Sequence, residues 1–165
     1  MAKHISKQEQ RLIKQNLPNV DLILTRSDDE GDYQKIIVSV FDHWMTREEF
    51  VDYDDVDYDT LMERRRKFEN FATKLYNNSR CFLWKYKRHY RVFIYHPTSI
   101  EQVLNKCDIK NQTYMSANHY AILLPEHAAV YTSEFDWTTI LWFRDEKKIQ
   151  PLLNMIEESG LHVLD

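Results

Sequence analysis

"YAILLPEHAAVYTSEFDWTTILWF", residues 120–143, is a nearly continuous apolar run broken at Pro125 and again at "SEFD". The uninterrupted pieces are short and rich in β-branched and aromatic residues, so the run predicts up to three short strands. The last piece, "FDWTTILWF", is apolar at almost every position. That pattern predicts a central strand with Trp137, Trp142 and Phe143 buried; the alternative is an exposed aromatic edge that meets a partner.

Working outward, Ile149, Leu152, Leu153 and Ile156 recur at helical spacing over about Lys147 to Ser159. Gly160 follows as the stop signal, and "LHVLD" reads as a final strand. Upstream, "RCFLWKYKRHYRVFIYHP" reads as a two-stranded hairpin ending at Pro97, followed by a helix in "TSIEQVLNKC" capped by Thr98 or Ser99. The longest helix is expected from Tyr58 to about Asn77, with Leu61, Phe68, Phe71, Ala72 and Leu75 on one face and Asp57 or Asp59 as cap. Thr46 and Glu49 form a capping box that starts a short helix at "TREEF".

"VDLILTRS" reads as a strand from Val20 to Thr25, pairing around Gly31 with a second strand in "YQKIIVSVFDHW". Residues 1–19 supply a peripheral N-terminal helix, from about Ser6 to Asn16, closed by Pro18. Strand groups interrupted by isolated helices predict a single α+β domain over 1–165. Its expected form is a mainly antiparallel sheet with about three to five helices packed on one face.

Absences narrow the chemistry. Gly31 and Gly160 are the two glycines of the chain, so the glycine-rich loops that cradle phosphates are excluded in their usual form, as is a GxSxG elbow. Cys81 and Cys107 belong to no CxxC or Cys/His cluster, which leaves a structural zinc site unsupported and predicts reduced thiols. The sequence contains neither an apolar leader segment nor an apolar run of about 18 residues, so a cytoplasmic protein without a membrane span is expected. No cofactor is implied.

The net charge of −4 conceals segregation. Residues 20–63 carry three Lys/Arg against fourteen Asp/Glu, and residues 64–110 carry twelve against three. The junction is "EEFVDYDDVDYDTLMERRRKFE", residues 48–69. Either the acidic half is neutralised by its own basic half, or it is offered to a partner. In the second case Glu48, Glu49, Asp52, Tyr53, Asp54, Asp55, Asp57, Tyr58 and Asp59 are the contact set for a protein partner with a basic surface. Tyrosine suits interfaces and carboxylates set approach rate and selectivity. Nucleic-acid mimicry by the same aspartates is a variant of that reading. Small size, acidity and many aromatics further suggest an inhibitor or immunity-like protein of the phage or mobile-element type.

Two alternatives come from other classes. The hairpin, residues 80–95, interleaves cations with rings, and Trp84, Lys85, Lys87, Arg88 and Arg91 are its candidates for single-stranded nucleic acid. Period-2 alternation competes with this, because it places Phe82, Trp84 and Tyr86 on one face, and Tyr90, Val92 and Ile94 on one face of the second strand, as core. A metal-dependent nuclease or phosphoesterase is the third reading. His96-Pro97-Thr98 matches half of a paired HxT/HxS motif and no other histidine completes it. Asp42, His43, Glu48 and Glu49 are candidate metal-binding groups, Glu126 and His127 a candidate acid/base pair beside Glu134 and Asp136, and Cys107 a candidate thiol nucleophile.

Overall fold

The run at 120–143 forms three strands in the computed structural model, which describes residues 3–25, 29–87, 91–107, 120–134 and 136–164. In chain order the elements are β1 (Lys3–His4), α1 (Lys7–Asn16), α2 (Val20–Leu24), β2 (Gln34–Ser39), α3 (Arg47–Asp52), α4 (Tyr58–Asn78) and β3 (Leu83–Lys87). There follow β4 (Arg91–His96), α5 (Ile100–Lys106), β5 (Ala121–Leu124), β6 (Ala129–Ser133), β7 (Thr138–Phe143), α6 (Gln150–Glu158) and β8 (His162–Leu164). The fold is α+β.

All strand pairings are antiparallel, in a five-stranded sheet ordered β5-β6-β7-β2-β8 and a smaller one ordered β1-β4-β3. Phe82 and Leu123 exchange backbone hydrogen bonds of 3.0 and 2.9 Å, so the hairpin continues the large sheet beyond β5. Pro125 stops β5 in a 3₁₀ turn, as a residue without an N–H must. Within β7, Trp142 and Phe143 are buried, as expected of a strand lying between β6 and β2, while Trp137 just before it is half-buried.

The helices clothe both faces of the sheet rather than the single face expected. Phe68, Phe71, Ala72 and Leu75 of α4, Val103 of α5, and Leu152 and Ile156 of α6 pack with Val38, Leu83, Ile122, Leu124, Tyr131 and Leu141. On the opposite face, Ile13 and Leu17 near α1, with Ile23 and Leu24 of α2, cover Phe82, Trp84, Leu123, Val130 and Trp142. The two sets alternate residue by residue along β5, β6 and β7, which accounts for every residue of β5 and β6 being buried. Each large apolar side chain removed from water in these layers contributes about 1.5–3 kcal/mol.

Val20–Leu24 is the second correction: it is helical. Asn19 enters it in the left-handed region (φ 54°), and the Thr25 hydroxyl donates to the Asp21 carbonyl at 2.7 Å at its end. A five-residue stretch with four apolar residues and Asp21 is too short for its periodicity to separate strand from helix, and burial of Ile23 and Leu24 against the sheet decides it. The predicted hairpin around Gly31 is therefore absent; β2 pairs with β7 and β8 instead.

Helix limits follow the caps. Ser6 and Glu9 form a capping box on α1, and the Asp57 carboxylate accepts from the Thr60 N–H at 2.8 Å to start α4. At Gly160 the chain takes φ 76° with Lys67 against it, 3.4 Å from where a Cβ would sit. No helix among the described residues is long and apolar enough to cross a membrane.

Candidate functional site

The acidic segment folds as a short knuckle projecting from the ends of β2 and β7. Its start is fixed locally: the Thr46 hydroxyl accepts from the Glu49 N–H at 3.2 Å, and the Glu49 carboxylate accepts from the Thr46 N–H at 2.8 Å. The α3 helix that follows buries none of its six residues. Trp44 is 56% exposed, Phe50 38%, Val51 76% and Tyr58 69%. Water-exposed apolar side chains therefore concentrate in the segment that also carries the densest carboxylates.

The knuckle is tied to the sheet by contacts across more than eighty residues of sequence. The Tyr53 hydroxyl donates to Asp136 Oδ1 at 2.9 Å, and the Trp137 indole N–H donates to Asp54 Oδ1 at 2.8 Å. Burial, with the Asp136 carboxylate beside it, pushes the Tyr53 phenol well above its ordinary value. From α4, the Arg64 guanidinium donates to the Tyr53 carbonyl at 2.6 Å and lies 5.0 Å from the Phe41 ring centroid and 5.8 Å from that of Trp137. Partial burial lowers the Arg64 pKa, and the nearby Asp54 carboxylate opposes that shift.

His43 is a second fastening. Its Nδ1 lies 2.6 Å from Asp42 Oδ1 and its Nε2 lies 3.1 Å from Glu49 Oε1. Two carboxylates facing both ring nitrogens favour the imidazolium, whose two N–H groups can donate together. The His43 pKa is raised, chiefly by the hydrogen bond to Asp42 and then by that to Glu49. Asp42 is lowered by His43, and Glu49 first by the Thr46 N–H and then by His43. Beside this trio a cleft of about 180 Å³ is lined by Phe41, His43, Trp44, Phe50 and Leu164.

The acidic contact residues expected from sequence thus divide. Glu49, Tyr53, Asp54 and Asp57 serve the knuckle's own geometry. Glu48, Asp52, Asp55, Tyr58 and Asp59 are exposed, and among the described residues no ion pair reaches their carboxylates. Cations of the basic block pair elsewhere: Arg65 with Glu69 at 2.8 Å and Lys67 with Glu63 at 3.6 Å along α4, and Lys74 with Glu158 of α6 at 2.8 Å. Trp44, Phe50 and Val51 were not anticipated from sequence. For Phe50 and Val51 the signal was a pair of adjacent apolar residues on a helix too short to turn both inward; Trp44, which precedes that helix, had no such signal.

Other candidates sit elsewhere. In the hairpin, Phe82 (0% exposed) and Trp84 (6%) face the α1–α2 layer, with Val92 and Ile94 beside them, so Trp84 is core and offers no stacking face. Lys85 is exposed on the other side, its Nζ 5.5 Å from the Phe93 ring centroid and 5.6 Å from that of Tyr95. Arg88 and Tyr90 lie outside the described residues; Lys87 and Arg91 belong to β3 and β4.

His96 bonds to Glu9 at 2.5 Å and anchors α1 to β4, with Glu9 held down to about 2 by that bond and the Ser6 N–H. His127 bridges the Ser79 hydroxyl (3.0 Å) and the Lys148 carbonyl (2.9 Å), and Glu126 meets Arg80. Cys107 is buried and burial pushes its thiol up, the reverse of what a nucleophile needs. Among the described residues, no group of three or more His, Cys, Asp or Glu is arranged to hold a metal ion. Comparison with protein-family models, with curated proteins and with solved structures finds no match in any of the three.

Proposed function

We propose that the chain works by binding a protein, and that the knuckle from Trp44 to Asp59 is the docking surface for a basic partner. The observation that carries this reading is the concentration of Trp44, Phe50, Val51 and Tyr58 on the solvent side of a carboxylate-rich segment. Folding gains nothing from leaving these side chains in water, whereas a partner that covers them gains about 25 cal/mol per Å² of apolar surface. Glu48, Asp52, Asp55 and Asp59 border them and supply steering and selectivity for a cationic surface. The fastenings at Arg64, Tyr53 and His43 support the reading, since a docking surface held in one geometry loses less entropy on binding.

The test is capture of partners from nuclease-treated host lysate on the tagged chain, run in parallel with a Glu48→Lys/Asp52→Lys/Asp55→Lys variant. All three side chains are exposed, so circular dichroism is expected to be unchanged. The reading expects a stoichiometric protein that the parent chain retains and the variant loses. Equal retention by both would exclude the knuckle as the contact.

A second reading is favoured by one observation, the placement of Lys85 over Phe93 and Tyr95 beside a shallow depression lined by Gln102, Asn105 and Lys106. Single-stranded nucleic acid suits such a face. Binding of an oligonucleotide that weakens steeply with salt and is lost in Lys85→Glu/Lys106→Glu supports it.

A further inference from the structure

On the α4–α6 side of the sheet a groove of about 450 Å³ runs between α6 and the β2–β8 edge. Its apolar lining includes Ile36 and Phe143 from the sheet, Leu153 and Ile156 from α6, and Val163 from β8. Val163 stands opposite Val38 in the β2–β8 ladder. Opposed residues of an antiparallel pair share a face, and Val38 is buried beneath the helices, so Val163 points to the α6 side and is exposed there. Leu153 on α6 is likewise only half-buried. Asp42, Glu146 and Glu157 stand around this apolar lining, all three exposed.

At Asp42 the knuckle meets the groove. Asp42 lines it and also holds His43. His162 and Val163 of β8 line it too, whereas Leu164, opposite Ile37 and so turned to the other face of β8, lines the cleft by Trp44 and Phe50. A stable interface buries about 800 Å² on each side, and one short helix with its following turn offers only part of that.

We infer that the groove between α6 and β8 receives an amphipathic helix of the same partner, one whose apolar stripe is bordered by Lys or Arg. The inference rests on the reading of the knuckle as a docking surface. The argument for the occupant is charge complementarity with shape. One wall is itself a nine-residue helix, about 13 Å long, beside which two to three turns of a second helix can lie. The apolar lining takes the stripe, and the carboxylates at Glu146 and Glu157 meet the cations on its borders, Asp42 being already engaged by His43.

The test uses the full chain with Ile, Leu and Val methyls labelled for NMR, titrated with a synthetic Leu/Lys peptide of about 14 residues patterned as a helix with one apolar stripe. Saturable shifts are expected at Leu153, Ile156 and Val163. In Glu146→Lys/Glu157→Lys the affinity read from them should weaken about tenfold or more. Glu48→Lys/Asp52→Lys should leave these groove shifts in place.

Shifts confined to Val51 and its neighbours would overturn the groove and leave the knuckle reading standing. Absence of saturable shifts at the groove, or groove shifts indifferent to Glu146→Lys/Glu157→Lys, would overturn it as well. Equal lysate capture by the parent and by Glu48→Lys/Asp52→Lys/Asp55→Lys, with groove shifts intact, would instead remove the knuckle and keep the groove.

Discussion

The acidic knuckle and the basic hairpin are built from the same materials, charges interleaved with aromatic rings, and they dispose of those rings in opposite ways. In the hairpin, alternation with period two sends Phe82 and Trp84 to one side of the sheet and Lys85 to the other, and a helical layer covers the rings. In the knuckle, a six-residue helix has no covering layer among the described residues: Val51 stays in water, Phe50 is covered in part by stacking on Tyr53 at 5.2 Å, and Tyr53 turns back to the sheet. Aromatic content alone therefore says little about binding. What separates the two regions is whether a second layer exists for the rings to enter.

The largest effect that tests this contrast is a pair of tryptophan truncations. Trp84→Ala removes a core side chain and should cost about 3–5 kcal/mol in urea unfolding, whereas Trp44→Ala should fall within about 0.5 kcal/mol of the parent. Equal losses would mean that the knuckle is packed as the hairpin is.

Next comes Arg64→Met, which keeps the stem but removes the donor to the Tyr53 carbonyl and the cation between the Phe41 and Trp137 rings. A loss of about 1.5–3 kcal/mol is expected. Faster hydrogen exchange should appear at residues 47–56 without change in β5–β7. Asp57→Ala, which deletes the α4 cap, should cost about 1 kcal/mol.

The smallest effects are protonic and of opposite sign. His43 is raised above 6.5, so its hold on Asp42 and Glu49 is complete below that value and is lost as pH rises through the folded-state value. An NMR titration should place His43 above 6.5, and exchange at the start of α3 should quicken on the alkaline side. Glu9 behaves inversely. Its contribution is present above 4.5 and disappears as pH falls towards about 2, when the bond to His96 breaks and α1 loosens from β4. Glu9→Gln should flatten that acid limb.

Much of the architecture was legible because its signals are local. The capping box at Thr46/Glu49, the Asp57 cap and Gly160 act within four residues of the boundary they set, and the α4 periodicity is read along the helix itself; the Ser6/Glu9 box, equally local, was not read from the sequence. The strands of 120–143 were legible by length and apolar density. That same density held the clue to the second helical layer, since a strand buried at every position needs cover on both faces.

The error at Val20–Leu24 is of another kind. Nothing in a segment this short, four apolar residues and Asp21, distinguishes the two periods, and the tertiary contacts of Ile23 and Leu24 settle the matter. At the candidate site, composition pointed to the acidic segment but not to its construction. The bonds from Tyr53 to Asp136 and from Asp54 to Trp137 each join residues 83 positions apart, and the convergence of Asp42 and Glu49 on His43 depends on the chain turning into α3. Which aspartates face water and which serve the fold is a tertiary fact, and so is the exposure of Trp44.

The most direct measurement of the central claim is site-specific photocrosslinking in the host cell, with benzoylphenylalanine placed at Val51, at Tyr58 and, as a control on another exposed helix surface, at Gln8. The account predicts one discrete, nuclease-resistant protein adduct of the same mass from Val51 and from Tyr58, and none from Gln8. Absence of an adduct at both knuckle positions, or the same products from all three, would contradict it.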